Sequence, residues 1–416
     1  MISNNKILTP VILGGDLGAY SMARAFGEAT GFASYIFARE RLALCDYSAF
    51  TIPLVVKGLD DPNVAVEALI EFARLHENEM LILVPTADWY MEMLEYSRDV
   101  LEEYYCFFIP EFELWRALTD KVSFYQLLRE ADITYPKTAV IGENDIDTLY
   151  ELTKGIKPPY VLKPSDSSLY WKTPFSGMQK VYFPYSLDEA RYYCKMIFNS
   201  GYTGKLVIQE RLFEINTEGE LREPSASVLT TFSNSEGKVI RAVMGDIALE
   251  EIGPTSRGNY SAIITRGLDA FSLKLISLLD KLKYKGIANF DILRSAGKSY
   301  CLELNARAGR SSDYVRSSGV NLAGLLVKEM SGIVTERCYE YKKTLWCAVP
   351  LKCIFRQIRD AKMLPTVKAM AAEGNYSMPF DSRMDCGLLR RLYVAIHLRR
   401  QARLYSKVRG DGFRCS

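Results

Sequence analysis

Between Ile7 and about residue 110, short apolar runs alternate with helical patterns, and this constrains the fold more than any other feature of the chain. Strands that recur with a helix between them close as parallel βαβ units. Ile7 to Leu13, Ala33 to Phe37, Thr51 to Val56, Met80 to Val84 and Tyr105 to Ile109 read as strands, with helices at about 18–30, 62–76 and 87–101. The first turn, Gly14-Gly15-Asp16-Leu17-Gly18, invites a dinucleotide reading, because glycines there admit a phosphate close to the backbone. Its spacing is not Gly-x-Gly-x-x-Gly, and no clear ribose-binding acid closes the second strand. A tight strand-to-helix turn facing a ligand cleft is the better expectation.

A helical stretch from Leu114 to Ala131 carries Asp120-Lys121, and Tyr135-Pro136 then marks a change of direction. The next segment reads as a small α+β unit able to rock as a lid. It has strands at Thr138 to Ile141, Tyr160 to Lys163, Lys180 to Phe183 and Lys205 to Gln209, helices near 145–154 and at Leu187 to Asn199, and a polar loop from Pro164 to Gly177. Lys163 closes a strand beside the small residues of that loop, a way to hold phosphates, although a lysine before proline is often merely exposed. Strands resume near 226–233, 238–247 and 260–265, followed by helices at about 267–283 and 313–330.

Between those last two helices lies the chemistry. Gly286 to Ile292 and Tyr300 to Arg310 flank Ser295-Ala296-Gly297-Lys298-Ser299, so the pair reads as a β-hairpin. Glu303 and Asn305, two apart on a strand, share a face and sit opposite Asp291. Two carboxylates and an amide oxygen suit Mg2+. Glu303-Leu304-Asn305 alone would fit an ordinary surface hairpin; Asp291 and the arginines that follow favour the metal site. Gly297-Lys298-Ser299 is no P-loop, since Ile292 stands where its glycine belongs.

Composition excludes much else. With 416 residues, 48% hydrophobic and 25% charged, the chain suits a globular protein of several domains, and a net charge of +2 gives no case for nucleic-acid binding. No apolar run reaches membrane-span length and Met1 to Lys6 lacks a signal-peptide pattern, so a cytoplasmic protein is expected. The nine cysteines are scattered and read as reduced thiols. Only His76 and His397 occur, which disfavours histidine-based catalysis and leaves carboxylates, lysines, arginines and a metal. The tail from Leu388 to Arg414 mixes Leu, Tyr and Ile with eight Arg or Lys residues. It reads either as a helix packed on the body or as a weak contact with an anionic membrane surface.

Taken in order, Asp120-Lys121, Lys163, Gln209-Glu210, Asp291 and Glu303-x-Asn305-x-Arg307-x-Gly309 resemble the landmarks of the ATP-grasp superfamily. Longer runs are similar to those of the bacterial D-aspartate ligases, which build the bridge residue of peptidoglycan precursors. These are Val11 to Asp16 with Tyr20 to Arg24, Lys121 to Tyr125 with Tyr135 to Thr138, Gly258-Asn259-Tyr260, and Ala288 to Asp291 through Gly309 to Ser312. The resemblance, from about residue 10 to about 355, implies an α/β and α+β chain with the ATP-grasp fold. An N-terminal Rossmann-like (pre-ATP-grasp) domain would span 1–118, a lid 119–212, the metal-bearing subdomain 213–355 and a helical basic extension 356–416.

It also implies roles. Lys121, Lys163 and Ser167 would contact the phosphates of ATP, and Gln209 and Glu210 would lie at the adenine hinge. Glu214 would approach the ribose, although the segment after Glu210 lacks the glycine turn of many relatives. Asp291, Glu303 and Asn305 would hold Mg2+, with Mn2+ as a substitute. Arg307 would face the transferred phosphoryl group or a substrate carboxylate, and Arg310 would clamp a carboxylate or form a structural ion pair. The implied reaction is amide formation through an acyl phosphate, with D-aspartate as the acid and the diamino acid of a UDP-muramyl pentapeptide as the amine. A ligase for another acid–amine pair, a non-catalytic ATP-binding regulator and a nicotinamide oxidoreductase are the alternatives.

Overall fold

The computed structural model describes residues 7–215, 219–252, 258–358, 360 and 362–407. The readings made at Met1 to Lys6 and beyond Lys407 lie outside the described residues. The N-terminal strands β1 (Ile7–Leu13), β2 (Ser34–Ala38), β3 (Thr51–Val55), β4 (Glu79–Pro85) and β5 (Tyr105–Cys106) form one parallel sheet in the order β3-β2-β1-β4-β5. Helices α1 (Leu17–Thr30), α2 (Pro62–Leu75), α3 (Asp88–Tyr96) and α4 (Arg98–Leu101) connect them. The fifth strand is shorter than its apolar run because Phe108 turns away to stack on Phe232. Gly14 adopts φ 130°, and a Cβ there would fall 2.1 Å from Thr86 Oγ1, so no other residue fits this turn.

The stretch expected as one helix over 114–131 is two, α5 (Phe112–Thr119) and α6 (Lys121–Glu130). Asp120 between them is extended, and its carboxylate accepts from Ser123 N at 2.9 Å, capping α6. Apolar periodicity runs through the break and hides it.

The unit expected as a lid is built on β6 (Thr138–Ile141), β7 (Tyr160–Pro164) and β8 (Leu206–Glu210), antiparallel in the order β6-β8-β7, with α7 (Leu149–Leu152), α8 (Ser167–Trp171) and α9 (Leu187–Asn199). Two expectations fail here. Lys180 to Phe183 is not a strand: only the bridge Leu162–Tyr182 forms, since Tyr182 turns into the lid core and its hydroxyl pairs with Tyr170 at 2.9 Å. The polar loop after Pro164 contains α8, which Asp166 caps through Leu169 N. Every residue of the lid core lies between 139 and 208.

After a ribbon of β9 (Glu214–Ile215) and β10 (Leu221–Arg222) comes a seven-stranded sheet. Its order is β15-β14-β11-β12-β13-β16-β17. The members are β11 (Ser225–Ser233), β12 (Val239–Glu250), β13 (Tyr260–Arg266), β14 (Gly286–Ser295), β15 (Lys298–Asn305), β16 (Leu345–Cys347) and β17 (Tyr376–Ser377). The β14–β15 hairpin closes through Ala296 (φ 49°) and Gly297 (φ 74°), the paired positive angles that match strand twist.

One core joins this sheet to α5, α6 and α10 (Ala270–Lys281), with Phe124, Leu128, Leu275, Phe290 and Leu304 buried together. Another joins it to the N-terminal domain through Met22 and Phe26 of α1 against Phe232 and Ile263. The helix expected at 313–330 is two, α11 (Asp313–Ser317) and α12 (Leu322–Met330), because the chain turns at Ser318-Gly319-Val320 and Asn321 caps the second. Helices α13 (Leu351–Gln357), α14 (Met363–Ala372) and α15 (Leu388–Lys407) complete the outer layer. The C-terminal stretch is not purely helical, since β17 pairs in parallel with β16.

Candidate active site

Antiparallel register decides which side chains meet. Asp291 of β14 lies directly opposite Glu303 of β15, and a bulge just beyond them shifts the ladder by one residue. Asn305 Nδ2 donates to Asp291 Oδ2 at 3.3 Å, and the hydroxyl of Tyr260, on β13, donates to Asp291 Oδ1 at 2.8 Å. Side chains of three strands thus converge on one carboxylate; the two-residue period accounts for the hairpin pair and not for Tyr260.

The two acids cannot both be charged at low cost. Burial and the neighbouring charge of Glu303 lift the Asp291 carboxyl well above the usual range. Burial acts on Glu303 too, but the ammonium groups of Lys121, Lys180 and Lys163 outweigh it and hold that carboxylate below its usual range. A proton taken up by the pair therefore rests on Asp291 in preference to Glu303.

A divalent cation fits where that proton sits. The donors are all hard oxygens, which suits Mg2+ and not a thiophilic metal. Among the described residues no three His, Cys, Asp or Glu side chains gather at one point. A cation here would thus need further oxygens, of the kind that phosphates and water supply.

Three lysines form the opposite wall. Lys163, buried on β7, projects from the lid, and its ammonium is pushed down to about 8, first by burial, with Glu303 opposing and Lys121 and Lys180 adding to the shift. Lys121 is buried at the first turn of α6, where its Nζ reaches Ser165 O at 3.4 Å and Ser167 Oγ at 3.5 Å. Lys180, which the sequence reading did not single out, comes from the lid segment that failed to form a strand. Gln209 is buried at the end of β8 and donates to Thr138 Oγ1 at 2.8 Å, while Glu210 accepts from Lys137 N at 2.9 Å. Glu214 stands on the β9–β10 ribbon, where it accepts from the Ser225 hydroxyl at 3.3 Å.

Each arginine is paired with an acid of the N-terminal domain. Arg307 donates through Nε and Nη2 to both oxygens of Asp88 at 2.8 Å, a two-pronged fork, while its Nη2 also lies 3.4 Å from Asn305 Oδ1. Arg310 spans Asp16 at 3.1 Å and Glu251 at 3.0 and 3.1 Å. Asp16 and Asp88 follow β1 and β4, adjacent strands of the parallel sheet, at the carboxyl ends where such sheets receive ligands. That placement was a readable signal for both acids. The other oxygen of Asp16 accepts from Gly18 N and Ala19 N at the start of α1. A carboxylate of the chain itself thus holds the amides that a dinucleotide pyrophosphate would need.

A parallel N-terminal sheet, an antiparallel lid carrying one lysine and a larger antiparallel sheet carrying the paired acids together constitute the ATP-grasp fold. No protein-family profile matches the chain. Over 402 residues, 94% of this chain and 94% of the relative, it is 28% identical to the D-aspartate ligase of Enterococcus faecium (strain Aus0004).

Solved structures agree on the fold. The biotin carboxylase domain of Hydrogenobacter thermophilus 2-oxoglutarate carboxylase, in complex with MgADP, ADP and bicarbonate, superposes with TM-score 0.61 at 13% identity, covering 82% of this chain and 73% of that one. An N5-carboxyaminoimidazole ribonucleotide synthetase in its ADP complex gives 0.59 at 14%, covering 89% and 88%. The phosphoribosylamine–glycine ligase of Thermotoga maritima gives 0.54 at 17%, covering 81% and 78%.

Proposed function

We propose that the chain is an ATP-dependent carboxylate–amine ligase that joins D-aspartate to the side-chain amine of the diamino acid in a UDP-muramyl pentapeptide. The observation that carries this reading is the convergence of Lys121, Lys163 and Lys180 on the Asp291–Glu303 pair, with Arg307 beside Asn305. The similarity to a D-aspartate ligase over nearly the whole chain supports the choice of acid.

The chemistry explains the inventory. A carboxylate oxygen attacks the γ-phosphorus of ATP, the bond to the β-phosphate oxygen breaks, and ADP leaves an acyl phosphate behind. The amine then bonds to the acyl carbon, phosphate departs and the nitrogen loses a proton. Both partners of the first step are anionic, so charge must be neutralised where they meet. Lys121 and Lys163 hold phosphate oxygens, and Ser167 adds a hydroxyl. Gln209 and Glu210 present the strand end that receives the adenine, with Glu214 on the ribose side.

Asp291, Glu303 and Asn305 would hold Mg2+, which supplies charge neutralisation on the phosphates when bound; Mn2+ shares its oxygen preference and would substitute. Arg307, positioned by its fork to Asp88, would direct its charge at the transferred phosphoryl group, and Arg310, bridged between Asp16 and Glu251, at a substrate carboxylate. The lid keeps water from the acyl phosphate. The boundaries near 212 and 355 and a cytoplasmic location belong to the same reading, whereas the lid begins near β6 and not at 119, because α6 packs with the seven-stranded sheet; among the described residues no helix is long and apolar enough to cross a membrane.

Glu303→Gln removes a charge at constant shape. ADP release and amide formation should fall at least about a thousandfold with melting temperature unchanged. Wild-type turnover in that variant would refute the site. Mass spectrometry of the products from ATP, a mixture of amino acids and a muramyl pentapeptide would identify both substrates, and release of ADP with an acid other than D-aspartate would replace the acid while leaving the mechanism.

A further inference from the structure

We propose that the outward face of α15 docks on an anionic lipid bilayer surface. The helix is fixed from within. Arg390, 1% exposed, bonds Asp385 at 3.0 Å and Leu44 O at 2.9 Å, and its guanidinium lies over the ring of Tyr20. Near the other end the Tyr405 hydroxyl shares a hydrogen bond with Ser261, one residue from Tyr260. Val394, His397, Leu398 and Gln401 fall on the same inner side and are half-buried. The opposite face is therefore held outward and cannot roll into the protein.

That face divides along its length. In the first half Leu388 is 84% exposed, Leu389 60%, Leu392 58% and Ile396 40%. In the second half Arg399, Arg400, Arg403 and Lys407 are exposed. Residues 388, 392, 399 and 403 lie on one stripe at helical spacing, so the apolar and basic patches are continuous. Single exposed aliphatic side chains are ordinary, but four within three turns form a patch that water does not favour.

Charge selects the occupant. From Cys386 to Lys407 there is no Asp or Glu. A second copy pairing through this face would bring two acid-free basic segments together. A nucleic acid would satisfy the arginines and leave the leucines in water. A bilayer with anionic headgroups satisfies both, with aliphatic side chains at the acyl boundary and guanidinium groups on lipid phosphates. A helix of this length lies over about 30 Å of surface, enough for all four apolar side chains and all four cations to engage at once.

The test uses the full chain and vesicles of phosphatidylglycerol with phosphatidylcholine, against vesicles of phosphatidylcholine alone. Sedimentation with the anionic vesicles, weakening as salt rises, is expected, with none on neutral ones. Arg399→Glu and Arg403→Glu together should weaken binding at least about 25-fold, about fivefold for each cation lost. Leu388→Ser with Leu392→Ser should weaken it about tenfold or more. Both pairs are exposed, so the melting temperature should stay at the wild-type value. If either pair unfolds the chain, the contrast between the two vesicle types in wild-type protein decides. Equal sedimentation with both vesicle types, no sedimentation with either, or a change in self-association on substitution without a change in vesicle binding overturns the proposal.

Discussion

The lid and the seven-stranded sheet hold the two halves of the site's charge in different ways. Lys163 sits on a small body whose core is entirely its own and whose contacts with the rest are polar: Glu92 of α3 bonds Lys172 at 2.9 Å and also accepts from Ser168, and Lys121 N reaches Ser165 O at 3.4 Å. Asp291 sits on a strand laddered on both sides, and Glu303 on the edge strand beside it, whose Cys301 and Leu304 share a core with α5 and α6. A unit with its own core and few outside contacts can move without unfolding, whereas strands in a shared core cannot. Lys163 and Lys180 are thus carried by the part free to move, and Lys121 and the acids by the part that is fixed. In the proposed reaction, closing the movable unit over a nucleotide would bring Lys163 and Lys180 onto the acids.

The comparison breaks most sharply at Lys163. Lys163→Met should lower kcat/KM for ATP about a thousandfold while leaving the acids and their metal affinity intact. In the wild type, nucleotide affinity without metal should fall as pH rises through about 8, since the ammonium pushed down by burial loses its proton there, and the Met variant should show no such dependence. Isothermal titration across pH 7 to 9 reads both.

On the fixed side, Arg307→Lys keeps the charge and loses the fork, so kcat should fall about a hundredfold. Asp88→Asn leaves Arg307 charged but unclamped and should cost about tenfold, in kcat more than in KM.

A smaller effect separates the acids by pH. Because its carboxyl is raised in the folded protein, Asp291 contributes stability at low pH that is lost as pH rises through its folded value. The metal-free wild type should therefore lose about 1–2 kcal/mol relative to Asp291→Asn between acidic and mildly alkaline pH, and Mg2+ with nucleotide should restore it only in the wild type. Thermal melts at pH 5.5 and 8 decide this. The mildest change is Glu92→Ala, which removes a partly exposed latch. A two- to threefold rise in KM for ATP is expected, with kcat unchanged. A large loss of kcat there would show the lid to be fixed after all.

Much of this was legible beforehand. The alternation of apolar runs up to Cys106 required a parallel sheet, and the period of Glu303 and Asn305 opposite Asp291 required a shared face, which the register Asp291–Glu303 displays. Local geometry was legible because a strand's period is fixed by its backbone. Breaks inside continuous apolar patterns were not. Asp120 and the Ser318–Val320 turn interrupt helices whose periodicity persists across them, and Tyr182 left its strand for a buried hydroxyl pair.

By itself, the chain's order of residues determined which elements form and which side chains share a face, because those depend on neighbours a few positions apart. The pairing of Arg307 with Asp88, 219 positions away, of Arg310 with Asp16 and Glu251, and the reach of Lys180 to Glu303 were decided only by tertiary structure. So was the outward turn of the leucines on α15, whose helical wheel carries apolar residues on both faces. Electrostatic and packing energies depend on distance in space, and a linear pattern does not contain that distance until sheets and cores have brought remote segments together.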